Sequence, residues 1–338
     1  MAKGRNEPTL PEVKHFSRRI FLKLAAGGAV ASGAIGGCDG SSTKEGKLLL
    51  GFTNMLLASE FCATVERSIV EAAEKEGWKV FALDNNLDAN AALANADLMV
   101  TRGVDFVLSF QALETLNPAI HEKYVEAGIP HFSIDGPMPD TVQFGADNWE
   151  AGKAGGAWLA DYARKNWGGK VDGVIMSWIS TWSDMVMRRA EGVIHSISQA
   201  FPQWNKDTID RLDVVLDAEK GEAGFRAWMN AHPDARHILI PTMTNDIDGL
   251  SALTALQATG REAHAVICSG GGDPSAIAEL KKSDNAFKAS IAFFPEKYGQ
   301  YLVPIIKDSL AGQPLKSHYS LEHIVLTRQN VREHYPDA

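Results

Sequence analysis

The sequence predicts an α/β protein built as two doubly wound parallel-sheet lobes. Three observations predict it. Short apolar runs alternate with longer amphipathic ones from residue 47 onward. The first four apolar runs begin at residues 47, 79, 105 and 131, so successive starts lie 32, 26 and 26 residues apart. That is the length of one strand, one helix and two loops, the repeat of a βαβ unit. The pattern breaks near residue 147 and then starts again, which divides the body into two βα runs.

Residues 47–53 (KLLLGFT) have the composition of a buried strand. Residues 61–77 have helical spacing. Phe61, Val65, Ile69, Ala72 and Ala73 share a face, Glu66, Glu74 and Lys75 lie outside it, and Gly77 ends the helix. Strand 79–84 (KVFALD), helix 88–102 ending at Gly103, and strand 105–109 (DFVLS) follow. Helix 118–127 stops at Gly128-Ile129-Pro130, and strand 131–135 (HFSID) ends the first run. The second run opens with a short strand at 142–146 and helix 149–166, which keeps small residues on one side. Strand 170–176, helix 184–200, strand 211–216 and helix 220–232 come next. Strand 237–241, helix 246–259 ending at Gly260, strand 263–268, helix 275–281 and strand 287–293 continue the alternation. Helix 295–310 begins with Pro, at the position where a missing N–H costs nothing. A last strand, 322–327, closes the body. Doubly wound sheets place ligands beyond the carboxyl ends of their strands, so two facing sheets form a cleft walled by strand-end loops.

The first 37 residues read differently. Ser17-Arg18-Arg19-Ile20-Phe21-Leu22-Lys23 has the form of a twin-arginine export signal, followed by an uncharged stretch at 24–37 rich in Ala and Gly. Ile35-Gly36-Gly37-Cys38 resembles a lipoprotein box, which makes Cys38 the candidate for lipidation, and the small polar residues 39–46 read as a tether. These features predict a periplasmic protein exported by the twin-arginine route, with lipidation at Cys38 expected and plain cleavage nearby as the alternative. After the signal no run of about 20 apolar residues occurs, so nothing in the mature chain is expected to span a bilayer. The chain carries a net charge of −9. Residues 1–37 hold six Lys/Arg against two Asp/Glu, which leaves −13 on the other 301 residues. So acidic a body has no electrostatic reason to bind nucleic acid. An apolar fraction of 45% is ordinary for globular proteins. Cys62 and Cys268 are far apart in the chain and read as buried small hydrophobes rather than a disulfide.

Several stretches together resemble periplasmic substrate-binding proteins of sugar ABC transporters, the ribose-binding-like, type I class. They are Ala94-Asn95-Ala96-Asp97-Leu98 with Arg102-Gly103-Val104-Asp105; Gly128-Ile129-Pro130 with Ile134-Asp135; Gly145-Ala146-Asp147-Asn148 with Gly152; Arg189-Ala190-Glu191-Gly192; and Ala231-His232-Pro233 followed by Asn245-Asp246. The resemblance covers about residues 47–330. It implies an extracytoplasmic solute-binding component of an ABC importer, with two lobes that close by a hinge over a small sugar or polyol. It implies no cofactor, and a transporter permease as partner. Three hinge crossings would give a signal at 1–37, a tether at 38–46, a first lobe at 47–147 plus 294–322, and a second at 148–293 plus 323–332.

Carried onto this chain, the resemblance assigns the pocket to Ser59, Phe61, Asp135, Trp182, Met187, Asn245 and Phe293. Phe61 takes an aromatic position that meets the C–H face of a sugar, with Ser59 just before it. Asp135 ends a strand, where the family places a carboxylate for two hydroxyls. Asn245 both donates and accepts, which suits a hydroxyl pair. Asp246 reads as the cap of the next helix. Three polar family positions are changed. An Arg falls on Met187, with Arg188 adjacent; a Gln falls on Phe293; an Asp falls in the loop Ser269-Gly270-Gly271-Gly272, which has no carboxylate until Asp273. Trp178 and Trp182 follow a second-lobe strand and can face the cleft.

No G-x-S-x-G elbow, H-E-x-x-H or C-x-x-C pair is present, and the histidines show no metal-ligand spacing, so no catalysis is expected. The same two-lobe module also presents ligands to chemoreceptors or histidine kinases, which is the alternative function, and a non-sugar small metabolite is the alternative ligand. It serves repressors too, but these need a helix-turn-helix where this chain has an export signal.

Overall fold

The computed structural model describes residues 48–337 apart from 112, 203, 205–207, 215 and 283. The expected export signal, Cys38 and the tether lie outside the described residues. The first sheet contains β1 (Leu49–Asn54), β2 (Lys79–Asp84), β3 (Phe106–Phe110), β4 (His131–Ile134) and β5 (Val142–Ala146). These alternate with α1 (Glu60–Lys75), α2 (Ala89–Arg102) and α3 (Asn117–Glu126). The second sheet holds β6 (Gly173–Trp178), β7 (Ile209–Asp213), β8 (Ile238–Thr242), β9 (Ala265–Gly271) and β10 (Phe287–Ala292). Around it lie α4 (Asn148–Trp167), α5 (Asp184–Ala200), α6 (Ala218–Ala231), α7 (Asp246–Ala258) and α8 (Pro274–Lys282). The chain then returns through α9 (Tyr298–Leu310) and β11 (His318–Leu321), crosses to β12 (Ile324–Thr327), and ends in a short helix, α10 (Val331–His334).

Each sheet has six strands. The orders are β11-β5-β4-β3-β1-β2 and β12-β10-β9-β8-β6-β7, the same winding twice. Helices cover both faces of both sheets, as parallel strands buried on two sides require. On one face of the first sheet, Phe52, Phe106 and Leu108 pack with Val65 and Ile69 of α1 and with Leu302 and Ile306 of α9. On the other, Val107 packs with Met99 of α2 and Ile120 of α3. In the second sheet, Ile240 and Ile267 meet Phe225 of α6 and Leu256 of α7, while Leu239 and Val266 meet Leu159 of α4 and Ile197 of α5.

Two features depart from the expected pattern: the strand at 142–146, expected to open the second run, is β5 at the far side of β4 in the first sheet, and the chain's end is built differently. The closing strand predicted at 322–327 is β12 of the second sheet, and an unpredicted strand, β11, directly precedes it in the first sheet. All pairings are parallel except that of β12, which runs antiparallel to β10. Only Glu322 and His323 separate β11 from β12. That link is too short for a crossover helix. The chain therefore runs straight out of the first sheet and enters the second from the carboxyl ends of its strands. The other two passages between the sheets fall between β5 and α4 and just after β10. At the latter, Phe294 adopts φ 51° and ψ 59°, a left-handed conformation rare for a bulky residue.

Candidate functional site

The carboxyl ends of the two sheets face one cavity of about 610 Å³, counting its part open to solvent. Met55, Ser59, Phe61, Phe110, Asp135 and Tyr298 line it from the first lobe; Trp182, Arg189, Thr244, Asn245, Asp273 and Phe293 are among those that line it from the second.

Asp135 is turned into the cavity by its own backbone. Its φ is 49°, which Asp tolerates better than most side chains. The carboxylate folds back over β5: Ala146 N–H donates to Oδ1 at 3.2 Å and the Tyr298 hydroxyl donates to Oδ2 at 2.8 Å. Gly145 makes this possible, because a Cβ there would stand 2.2 Å from Oδ1. Burial pushes the Asp135 carboxyl up, and the Arg189 guanidinium and the Tyr298 hydrogen bond partly restrain it.

Arg189 is the counter-charge from the second lobe. It comes from α5, and its Nε donates to Asn148 Oδ1 at 2.9 Å while Nη1 donates to the Thr244 carbonyl at 3.1 Å. Its guanidinium lies 4.7 Å from the centre of the Phe293 ring. Phe61 meets Phe293 edge-on at 6.5 Å and Tyr298 edge-on at 5.9 Å, so one aromatic unit spans both lobes. Asp135 and Arg189 attract each other electrostatically but make no direct ion pair. A ligand reaching both would tie the two lobes together.

Of the seven residues assigned from sequence, six line this cavity: Ser59, Phe61, Asp135, Trp182, Asn245 and Phe293. Met187 does not. It packs with Met176 and Ala190 in a small cluster, with Trp182 laid against it, and so supports Trp182 from behind. The arginine facing the cavity is Arg189, two positions on, because α5 turns residues 186 and 189 inward together. Trp178 is also outside the cavity, stacked 4.4 Å from the Arg211 guanidinium. Asn245 is the cap of α7: its Oδ1 accepts Asp248 N–H at 2.8 Å and its Nδ2 donates to Asp248 Oδ2 at 2.9 Å. Those bonds occupy much of the amide expected to meet a hydroxyl pair.

Asp246, expected to cap α7, is instead the first residue of that helix and fully buried. Its carboxylate accepts from Ser269 Oγ, Ser290 Oγ (2.7 Å), Gly272 N–H (2.7 Å) and Asp273 N–H (2.8 Å). It clamps the glycine loop that forms one wall of the cavity. Sequence reasoning gave no site role to Arg189, Thr244, Asp273 or Tyr298. Arg189 stood in one of the resembling motifs and Asp273 was the first carboxylate after the glycine loop; Tyr298 carried no local signal. Cys62 and Cys268 are buried free thiols. Burial pushes the Cys62 thiol up to about 12, so it is not a nucleophile at neutral pH. Among the described residues, no cluster of three or more His, Cys, Asp or Glu could hold a metal ion.

Comparison with known proteins agrees with this geometry. The model of the periplasmic binding protein domain matches residues 50–314. The ribose import binding protein RbsB of Bacillus subtilis (strain 168) is 23% identical over 288 residues, covering 83% of this chain and 87% of that protein. An ABC transporter periplasmic solute binding protein from Actinobacillus succinogenes 130z, solved with bound D-allose, superposes with a TM-score of 0.73 at 16% identity, covering 85% of this chain and all of that one. An ABC transporter solute binding protein from Agrobacterium vitis with bound allitol gives 0.73 at 17% identity, covering 86% and 99%.

Proposed function

Because the chain belongs to the family of the periplasmic binding protein domain, we propose that it is the solute-binding component of an ABC importer, closing its lobes on a small sugar or polyol. The observation that carries this reading is the cavity shared by both lobes, with Asp135 on one side and Arg189 on the other. Ligand contacts that need both lobes exist only when the cleft is shut, so ligand favours the closed population. The rings of Phe61 and Phe293 offer apolar surface to C–H groups, while Asp135 and Ser59 offer acceptors for hydroxyls. The RbsB relative and the allose- and allitol-bound neighbours support the ligand class. Titration calorimetry of the purified protein against a panel of sugars and polyols tests it. Binding accompanied by a smaller radius of gyration in solution scattering is the expected result. Silence across the panel beside binding of another metabolite class overturns the reading.

Export by the twin-arginine route and lipid anchoring at Cys38 belong to the same reading. Replacing Arg18 and Arg19 by Lys should hold the precursor in the cytoplasm, since Lys lacks the bidentate planar fork. Cys38→Ala should release the exported protein from the membrane fraction. We also infer that the moving bodies are 47–147 plus 294–322 and 148–293 plus 323–332. The course of the strands through the two sheets supports that division.

A further inference from the structure

We propose that the ligand of this cleft carries a positively charged amino group, as an amino sugar or aminopolyol does, and that Asp273 receives it. The inference rests on the sugar-or-polyol reading above and narrows it.

Asp273 stands between β9 and α8, directly before Pro274 at the first position of that helix. Its backbone N–H is held by Asp246, and the residue is only 2% exposed. Asp273 lines the cavity, and its buried Oδ1 accepts no hydrogen bond from any of the described residues. An acceptor this deeply buried and unpartnered is costly, and a ligand donor is the natural remedy.

Charge decides which donor. The groups acting on Asp273 are Asp246 and Glu60, both carboxylates. Arg189, the cavity's guanidinium, is coupled to Asp135 and Tyr298 and spends its donors on Asn148 and the Thr244 carbonyl. Two carboxyl groups thus line the cavity with one guanidinium, and the one that this guanidinium does not act on is Asp273. A neutral hydroxyl would satisfy a lone pair but do nothing to favour the ionised form of the carboxyl. An ammonium supplies both the donors and the charge, and charge-assisted bonds are roughly twice as strong as neutral ones. Burial and the adjacent carboxylates push Asp273 well above the ordinary carboxylate range. An incoming ammonium reverses that shift, so binding should release a proton.

The test uses matched pairs: glucosamine against glucose, galactosamine against galactose, and a 1-amino-1-deoxy polyol against its parent, titrated into the purified full chain. The amine of at least one pair should bind about tenfold or more tightly than its parent, the worth of one charge-assisted hydrogen bond. Its heat should vary with the ionisation enthalpy of the buffer. In Asp273→Asn the preference for the amine over its parent should vanish. The wild-type comparison needs no variant, so a poorly folding Asp273→Asn does not blunt it. Neutral sugars binding as tightly as their amines would overturn this inference and leave the sugar-or-polyol reading intact. Silence in both series beside binding of an unrelated metabolite class would overturn both.

Discussion

Buried titratable side chains away from the cavity set part of the pH response. His131 sits 5% exposed in β4 between two partners: the Ile129 carbonyl 3.0 Å from Nδ1, and His121 Nδ1 3.0 Å from Nε2. Both contacts are met by a neutral ring that donates from Nδ1 and accepts at Nε2. Burial lowers its pKa from 6.5 to about 4. A lowered histidine contributes stability that is fully present above pH 6.5 and is lost as pH falls toward 4. The contribution is about 3 kcal/mol. Urea unfolding at pH 7 and pH 4.5 should show a smaller loss in His131→Leu than in the wild type. Asp248 runs the other way. Burial raises it to about 6, and Oδ1 has no partner. A raised carboxyl favours the folded state below its ordinary pKa of 3.8, and the advantage is lost as pH rises toward 6. Asp248→Asn should therefore gain stability relative to wild type across that window, by up to about 3 kcal/mol. The clamp at Asp246 has a different outcome. Asp246→Ala removes the carboxylate that four buried donors share, leaving Gly272 N–H only its longer contact to Ser290 Oγ, and should cost about 3–5 kcal/mol in urea unfolding. Gln at that position should not rescue it, since two of the four donors are fixed backbone N–H groups.

At the level of elements, the position of Arg189 depends on how closely α4 and α5 approach. Gly152 and Gly156 of α4 and Gly192 of α5 form the contact. A Cβ on Gly152 would stand 1.9 Å from the Arg189 carbonyl, and one on Gly192 would stand 2.5 Å from the Trp149 carbonyl. Backbone cannot yield as a flexible side chain can. Gly152→Ala must push the helices apart, with an expected loss of about 2–4 kcal/mol in thermal or urea unfolding. Because the displaced segment carries Arg189, ligand affinity should fall more than in Gly224→Ala, whose Cβ meets only the movable Leu212 side chain. The small residues of helix 149–166 were plain in the sequence, but the partner that makes them necessary was not.

At the scale of the whole molecule, one polar contact that bridges the lobes outside the cavity is readily tested. The Glu60 carboxylate of α1 accepts the Ser275 N–H at the start of α8 at 3.1 Å. It joins a first-lobe helix to a second-lobe helix and can form only when the cleft is shut. Glu60→Ala should weaken ligand binding by a few fold, roughly 1 kcal/mol, and lower the closed fraction seen in solution scattering. Trp182 belongs to the second lobe yet packs on the core cluster of the first. Its emission should report closure, and Trp182→Phe should remove most of the ligand-induced fluorescence change.

The chain itself determined the winding of both sheets. Buried parallel strands must be short and apolar, and the helices between them amphipathic, so the alternation is written locally from residue 50 to 292. It also placed Phe61, Asp135 and Phe293 at strand or helix ends, where the cavity forms. Tertiary structure decided the rest. β11 is a four-residue, largely half-exposed edge strand without an apolar run, and only pairing with β5 identifies it. Met187 and Arg189 are two residues apart on one helix, and the direction in which each points is set by the packing of α5 on α4, not by their identities. Tyr298 reaches Asp135 across 163 positions of chain. Sequence periodicity records which face of an element is buried; it holds no record of which distant element does the burying, and a binding site is made of such distant neighbours.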